Sequence, residues 1–164
     1  TVWSALEPIL SQAVADFQRS RESEARLILP DLRKQIAALR AALDKVKRRA
    51  PERLTNYHRE LSLRIEKLIA SPPDPERIAT EVALMADRLD ITEECTRLVA
   101  HLDKFEEYFE ESDPVGKKMN FLLQEMNREA NTIGAKANDT IIAHLSVELK
   151  ETIERIREQI QNIE

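Results

Sequence analysis

The chain has 164 residues, of which 34% are charged, 42% hydrophobic and only 4% aromatic. Such a composition favours helices and provides few of the β-branched and aromatic residues that fill sheets. The two glycines argue against the Gly-rich phosphate loops of P-loop and dinucleotide-binding proteins. With a formal net charge of -5, binding to nucleic acid would depend on local basic clusters or bound cations.

A single cysteine, Cys95, excludes an internal disulfide, and the sequence contains no signal-like or long apolar segment. We therefore expect an all-α cytoplasmic protein without a membrane association. Its helices should be long and amphipathic, with coiled-coil-like packing.

The first half of the chain predicts two helices. Apolar residues recur at helical spacing from residue 3 to about residue 49, and Pro30 should bend or split this helix near Leu29. A second helix is predicted over residues 51–70. The short connection between them favours a long antiparallel hairpin, which we assign to residues 1–71.

The second half, residues 72–164, predicts a three-helix region after a proline-rich linker at 71–75. The third helix runs from Pro75 to about residue 111, and Asp113-Pro114 opens a fourth that ends near residue 137. Asn138 or Asp139 can cap a fifth helix. The fifth helix carries a nearly heptad seam, which needs a partner helix in this chain or in another. The seam consists of Ile142, Leu145, Leu149, Ile153, Ile156, Ile160 and Ile163.

Polar residues flank the apolar stripe on both the third and the fourth helix. If the two helices pack through their apolar faces, these flanks could meet in one groove. The polar run 124–132 lies in this region and is where we expect any chemistry. The flanking residues are Asp87, Asp90, Glu94, Arg97 and His101 on the third helix, and Lys118, Glu125, Glu129, Thr132 and Lys136 on the fourth.

Carboxylates one turn apart can hold a hard cation such as Mg²⁺, so we predict a metal site at Asp90, Glu94, Glu125 and Glu129. In such a site His101 could transfer a proton and Arg128 could neutralise developing charge. The same spacings are also typical of a solvated helix face. The basic run at 45–53 is likewise open to two interpretations, phosphate contact or stabilisation of a helix C-terminus.

The most distinctive segments of the sequence are residues 81–101 and the run Gly116-Lys-Lys-Met-Asn-Phe-Leu-Leu-Gln-Glu-Met-Asn-Arg-Glu-Ala-Asn-Thr132. The run resembles the C-terminal region of the bacterial YicC family, and residues 81–101 resemble the helix that precedes this region in the family. The segments 148–150 and 156–164 are similar to the family's terminus. A weaker motif includes Arg21, Glu22 and Glu24, with Ala25 where glycine is expected.

This resemblance implies an endoribonuclease that acts on single-stranded RNA, requires a divalent metal cation (Mg or Mn) and assembles as a homo-oligomer, a hexamer in the full-length family. DNA is not an expected partner. The assignment of roles rests on the predicted groove: we predict His101, Glu129 and Arg128 as catalytic residues, and Lys117, Lys118, Arg128, Lys136 and Arg97 as RNA-binding residues.

Family members begin with a further domain of mixed α/β character, so we expect this chain to be the C-terminal helical portion. An alternative hypothesis is a non-catalytic oligomerisation or RNA-clamping scaffold, whose active site the N-terminal domain completes. A helical adaptor for a protein partner is a third possibility.

Overall fold

Helices make up the described structure. The computed structural model describes residues 2–68, 74–111 and 115–161. In these ranges the chain forms α1 (Val2–Leu68), α2 (Pro75–Leu89), α3 (Thr92–Glu107), α4 (Gly116–Ala135) and α5 (Thr140–Gln161), with a 3-10 turn at Tyr108–Glu110. The all-α prediction is confirmed. Three predicted features lie outside the described residues, namely the linker prolines at 72–73, the helix start at 113–114 and residue 163 of the seam. The division of the chain at residue 71 stays a prediction.

α1 differs from the prediction because it is one uninterrupted helix that passes through both Pro30 and Pro51. The predicted turn near residue 50 is therefore wrong, as is a split near residue 29. Each proline removes one amide donor and costs about 3 kcal/mol in a helix interior. The carbonyls that lose this donor belong to Arg26 and Lys47, which are exposed, so water can bind them. Burial of the segment between the two prolines outweighs the remaining cost.

The predicted third helix is interrupted at Asp90 and Ile91. Asp90 has an extended backbone with a ψ of 125°, its own amide bonds the Asp87 carbonyl at 3.4 Å, and its carboxylate accepts the Thr92 amide at 2.9 Å. Ile91 is buried in the core. The carboxylate thus satisfies one of the free amides with which α3 begins. An Asp followed three residues later by Glu93 is a helix-start pattern that the periodic stripe concealed.

The start of α5 agrees with the prediction, and Asp139 is the capping residue. Its Oδ1 accepts hydrogen bonds from the amides of Ile141 and Ile142, both at 3.0 Å. Burial alone would raise the pKa of Asp139, but hydrogen bonds from Arg49 and from these amides hold it below its ordinary value. Asp139 therefore stays ionised and binds α1 to the first turn of α5.

The core is a four-helix arrangement in which the middle of α1 packs against α3 and α5, and α4 packs against the same two helices. The predicted seam of α5 is buried against α4 and α1, so the described part of it finds its partner within this chain. A helical stripe of α1 enters the same core. These α1 residues are Leu32, Ile36, Leu39, Leu43 and Val46.

α4 and α5 approach each other closely at Gly134. A Cβ at this position would lie 2.6 Å from the Ser146 Oγ and 3.2 Å from the Ser146 Cβ. Ser146 is buried and donates its hydroxyl to the Ala143 carbonyl at 2.8 Å, so it cannot rotate away without losing that hydrogen bond. Glycine is thus required by the packing of the two helices.

Gly134→Val is expected to lower the free energy of unfolding by about 1–3 kcal/mol, because the added carbons would overlap Ser146. Urea denaturation followed by circular dichroism measures the change. Ala135→Val is the matched control, since Ala135 is the exposed neighbour on the same turn. If the two variants unfold at the same urea concentration, the close contact does not constrain this interface.

The first part of α1 projects from the bundle. Every residue whose side chain is described between positions 2 and 27 is exposed, including the predicted apolar stripe. This stripe contains Trp3, Leu6, Leu10, Val14 and Phe17, each of them at least 50% exposed, and the Arg21 guanidinium lies over the Phe17 ring. Within the described ranges, no helix is both long enough and apolar enough to cross a membrane.

Candidate functional site

The polar flanks of α3 and α4 meet, as the sequence predicts. The Lys136 Nζ lies 2.7 Å from the Glu94 Oε1, and an Arg97 guanidinium nitrogen lies 3.6 Å from the Glu129 Oε1. The first pair joins the start of α3 to the end of α4. The second pair joins a later turn of α3 to an earlier turn of α4. The helices are therefore antiparallel, and their polar residues border one groove.

Glu94 is a buried carboxylate at one end of this groove, with only 7% of its surface exposed. Lys136 donates to its Oε1 and also to the Asp90 carbonyl at 3.0 Å. The other oxygen, Oε2, is buried and has no hydrogen-bond partner among the described residues. A buried acceptor of this kind is costly unless something binds it, so Glu94 can accept a further donor or cation.

Glu129 is the second buried carboxylate, with 4% of its surface exposed. Its partner Arg97 is itself about half exposed and also forms an ion pair with Glu93 on the same helix. Arg97 thus joins an exposed carboxylate to a buried one. In the groove, each buried negative charge on one helix lies against a positive charge on the other.

Asp90 has a local structural role. Hydrogen bonds from Thr92 hold the pKa of Asp90 below its ordinary value, and the carboxylate stays ionised at the start of α3. This position leaves Asp90 beside the groove, where its carbonyl accepts from Lys136.

Further along the groove, the antiparallel register places His101 opposite Glu125. His101 is half-buried, and its imidazole forms no hydrogen bond or ion pair with a described residue. Glu125 lies 3.9 Å from Arg128, whose side chain is largely exposed. The His101 imidazole is therefore unpaired, and the exposed part of the Arg128 side chain can contact an anion.

The two predicted lysines stand near the start of α4. Lys118 pairs with Glu111 at 3.1 Å and lies over the Tyr108 ring, with 5.5 Å between its nitrogen and the ring centroid. Lys117 is exposed and has no described partner. The structure thus separates these lysines from Lys136, which lies at the other end of the same helix.

Comparison with known proteins identifies the family. The sequence profile described as endoribonuclease YicC-like, C-terminal, matches residues 46–164. This chain belongs to the YicC-like endoribonuclease family. The matched residues include α3, α4 and α5 and the groove between the first two.

Two curated relatives agree with the assignment to the YicC-like family. A protein of Clostridioides difficile named probable endoribonuclease YicC is 37% identical over 99% of this chain and 56% of its own length. A protein of Haemophilus influenzae with the same name is 34% identical over 92% of this chain and 52% of its own length. The chain thus spans about half the length of these relatives.

The predicted metal ligands of this YicC-like chain are not gathered around one point. Among the residues that the structure describes, no three His, Cys, Asp or Glu side chains are grouped as a metal ion would require. Glu94 is paired with Lys136 and Glu129 with Arg97, while Asp90 accepts the amide of Thr92. Among the predicted ligands, the Glu94 Oε2, which has no hydrogen-bond partner, is the oxygen that best suits a cation in this groove. The metal assignment stays a prediction.

The structural role of Arg53 was not predicted from the sequence. Arg53 is only 5% exposed, and its guanidinium donates to the Lys136 and Ala137 carbonyls, each at 3.1 Å, and to the Leu89 carbonyl. It therefore joins the C-termini of α2 and α4 at one end of the groove. The basic run at 45–53 predicted a cation at the C-terminus of its own helix. The sequence alone could not show that Arg53 instead binds the C-termini of two other helices, α2 and α4.

Proposed function

We propose that this chain forms the helical part of an endoribonuclease, and that single-stranded RNA binds along the groove between α3 and α4. The observation that supports this proposal is the pair of buried carboxylates, Glu94 and Glu129, facing cations within the part of the chain that matches the family. Ionisable groups held in a partly buried cleft are typical of catalytic sites.

In the proposed complex, exposed cations position the RNA by its phosphates. Arg97 and Arg128 extend from the two sides of the groove, and Lys117, Lys118 and Lys136 contribute from the ends of α4. These positive charges counter the repulsion that a net charge of -5 would otherwise cause.

For the chemical step, we assign proton transfer to His101, because its imidazole is half-buried and unpaired, and histidine is the side chain that most often transfers protons in catalysis. In one route His101 removes the proton of the RNA 2′-hydroxyl, whose oxygen attacks the adjacent phosphorus. The bond from phosphorus to the 5′-oxygen breaks, this oxygen takes up a proton and leaves as a 5′-hydroxyl, and the other fragment ends in a 2′,3′-cyclic phosphate. In the other route His101 removes a proton from water, whose oxygen attacks the phosphorus. One P–O ester bond breaks, its oxygen leaves as a hydroxyl, and the other fragment ends in a linear phosphate. Analysis of the product ends distinguishes these routes.

Metal dependence is part of the same proposal. Mg²⁺ commonly takes one or two carboxylates together with water and phosphate oxygens, so a site need not contain a complete set of protein ligands. When bound, such a cation would stabilise phosphate charge and make water more acidic. Glu94 would supply its unpartnered oxygen, and Glu129, Glu125 and Asp90 line the same groove.

The alternative function is a non-catalytic scaffold. The exposed apolar stripe on the first part of α1 favours it, because a surface of this kind commonly marks an interaction site. The same exposed stripe supports our proposal that the chain forms a homo-oligomer, and the family resemblance suggests a hexamer.

Cleavage of labelled single-stranded RNA by the purified 164-residue chain tests the proposal. We expect cleavage with Mg²⁺ or Mn²⁺ that EDTA abolishes, while a duplex of the same sequence stays intact. Light scattering on the same sample gives its oligomeric state. A well-folded oligomer that neither binds nor cuts RNA would favour the scaffold, and cleavage unaffected by EDTA would remove the metal from the mechanism.

A further inference from the structure

A second concave site lies outside the groove, where α1 passes the connection between α4 and α5. It is a polar pocket of about 230 Å³. Pockets for drug-sized ligands usually measure about 300–1,000 Å³, so this one suits a smaller group. The lining residues that bear on its chemistry are Arg49, Asn56, Tyr57, Glu60, Asn138 and Thr140.

The positive charge of this pocket is already neutralised. Arg49 lies 2.9 Å from the Asp139 carboxylate and also forms an ion pair with Glu52. The other guanidinium in the wall, that of Arg53, donates to four backbone carbonyls. An isolated phosphate would have to compete with these carboxylates. The pocket therefore favours an uncharged ligand over an anion.

Several hydrogen-bonding groups in the wall are still available. Among the described residues, the Tyr57 hydroxyl and the Asn138 side chain have no hydrogen-bond partner, and Asn56 uses its Oδ1 to accept from Arg59 but leaves its amide nitrogen free. Tyr57 is half-buried, so its ring forms a fixed apolar surface. Amide donors and acceptors around an aromatic ring are the groups that recognise an unstacked base in single-stranded RNA.

Residues of the pocket and of the groove are also close to one another in the sequence. Asn138 follows Lys136 by two residues, and Lys136 contacts Glu94 at the end of the groove. Two residues span at most about 7 Å. A strand lying in the groove could thus place a neighbouring base in the pocket.

We infer that this pocket binds one unstacked nucleobase of single-stranded RNA and selects its identity at a fixed distance from the cleaved bond. The inference rests on the proposed function, from which it takes single-stranded RNA as the substrate. Tyr57 would stack on the base, while Asn56 and Asn138 would contact its edge. Such stacking tolerates any base, so the amides would provide the selection.

The first test needs no cleavage. In an NMR titration with each of the four nucleosides, and separately with inorganic phosphate, we expect at least one nucleoside to shift the Asn138 and Thr140 amide signals and phosphate not to do so. Tyr57→Leu should weaken nucleoside binding by about tenfold or more, whereas Tyr57→Phe, which keeps the ring, should retain most of it. His58→Ala is the control, because His58 is the exposed neighbour outside the pocket.

The second test sequences the ends of RNA fragments cut from a random single-stranded pool. We expect a base preference at one position, and Asn138→Gly should relax that preference. Asn138 has a φ of 40°, a left-handed conformation that glycine adopts freely, so this variant keeps the backbone. Nucleosides that leave the pocket signals unchanged, or a preference identical in Asn138→Gly, would overturn the inference. Failure of the wild-type chain to cut RNA concerns the proposed function instead, because the nucleoside titration does not depend on it.

Discussion

Replacement of Arg53 by methionine is expected to lower the free energy of unfolding by about 3 kcal/mol or more. The guanidinium satisfies three carbonyls at the C-termini of α2 and α4, in a position that is only 5% exposed. Methionine fills a similar volume but donates no hydrogen bond. Each buried carbonyl left without a partner costs about 1–3 kcal/mol.

The electrostatic contribution acts in the same direction. The C-terminal end of a helix carries a partial negative charge, and Arg53 brings one positive charge to two such ends. Burial lowers the pKa of the Arg53 guanidinium, but this group remains protonated at neutral pH. Its loss therefore removes both the hydrogen bonds and the compensating charge.

Urea denaturation measures this effect, with two further variants for comparison. Arg53→Lys keeps the charge but cannot span three carbonyls, so its stability should lie between those of the wild type and Arg53→Met. Arg48→Met is the matched control, since Arg48 is an exposed arginine on the preceding turn. A stability of Arg53→Met equal to that of Arg48→Met would show that the junction of α2 and α4 does not depend on the guanidinium.

The helices and the meeting of their polar flanks could be predicted from the sequence because both follow from periodicity. Residues that border an apolar stripe must border the core, so the polar flanks that carry Arg97 and Glu129 had to approach one another once α3 and α4 packed. The pattern did not fix the register of the two helices. It therefore could not show that each buried carboxylate faces a cation and not another carboxylate.

The errors have a common origin in local signals whose outcome depends on packing. Pro51 was a reasonable boundary between two helices, but α1 continues through this position, where Val46 and Arg53 on either side of it are buried. At Asp90 the periodic stripe continued although the backbone did not, because the side chain replaced a helical hydrogen bond. Arg53 could be placed only after the positions of both helix ends were known.

Glu129→Gln is expected to slow RNA cleavage by about 100-fold or more, if the groove is the active site. The substitution removes a buried negative charge with little change in shape, and the loss of one positioned ionisable group typically costs 10²–10⁴-fold. Its partner Arg97 keeps the ion pair with Glu93, so the local structure should persist. Circular dichroism and urea denaturation of the same sample check that it does.

The structure offers a matched control on the same arginine. Glu93 also contacts Arg97, but its side chain is 71% exposed whereas that of Glu129 is 5% exposed. Glu93→Gln should therefore cleave within about twofold of the wild type, because an exposed ion pair contributes little. Single-turnover cleavage of end-labelled single-stranded RNA gives both rates. Equal rates for the two variants would remove Glu129 from the catalytic machinery.

The same assay distinguishes a metal ligand from a residue that only orients Arg97. If Glu94 and Glu129 bind the cation, Glu94→Gln and Glu129→Gln should both need a higher Mg²⁺ concentration for half-maximal cleavage, and saturating Mg²⁺ should restore part of the lost rate. If Glu129 orients Arg97 instead, added Mg²⁺ should restore nothing, and Arg97→Met should lose as much activity as Glu129→Gln. The Lys136 and Arg97 partners make this comparison informative, because a cation that enters the groove must compete with both of them for the two buried carboxylates.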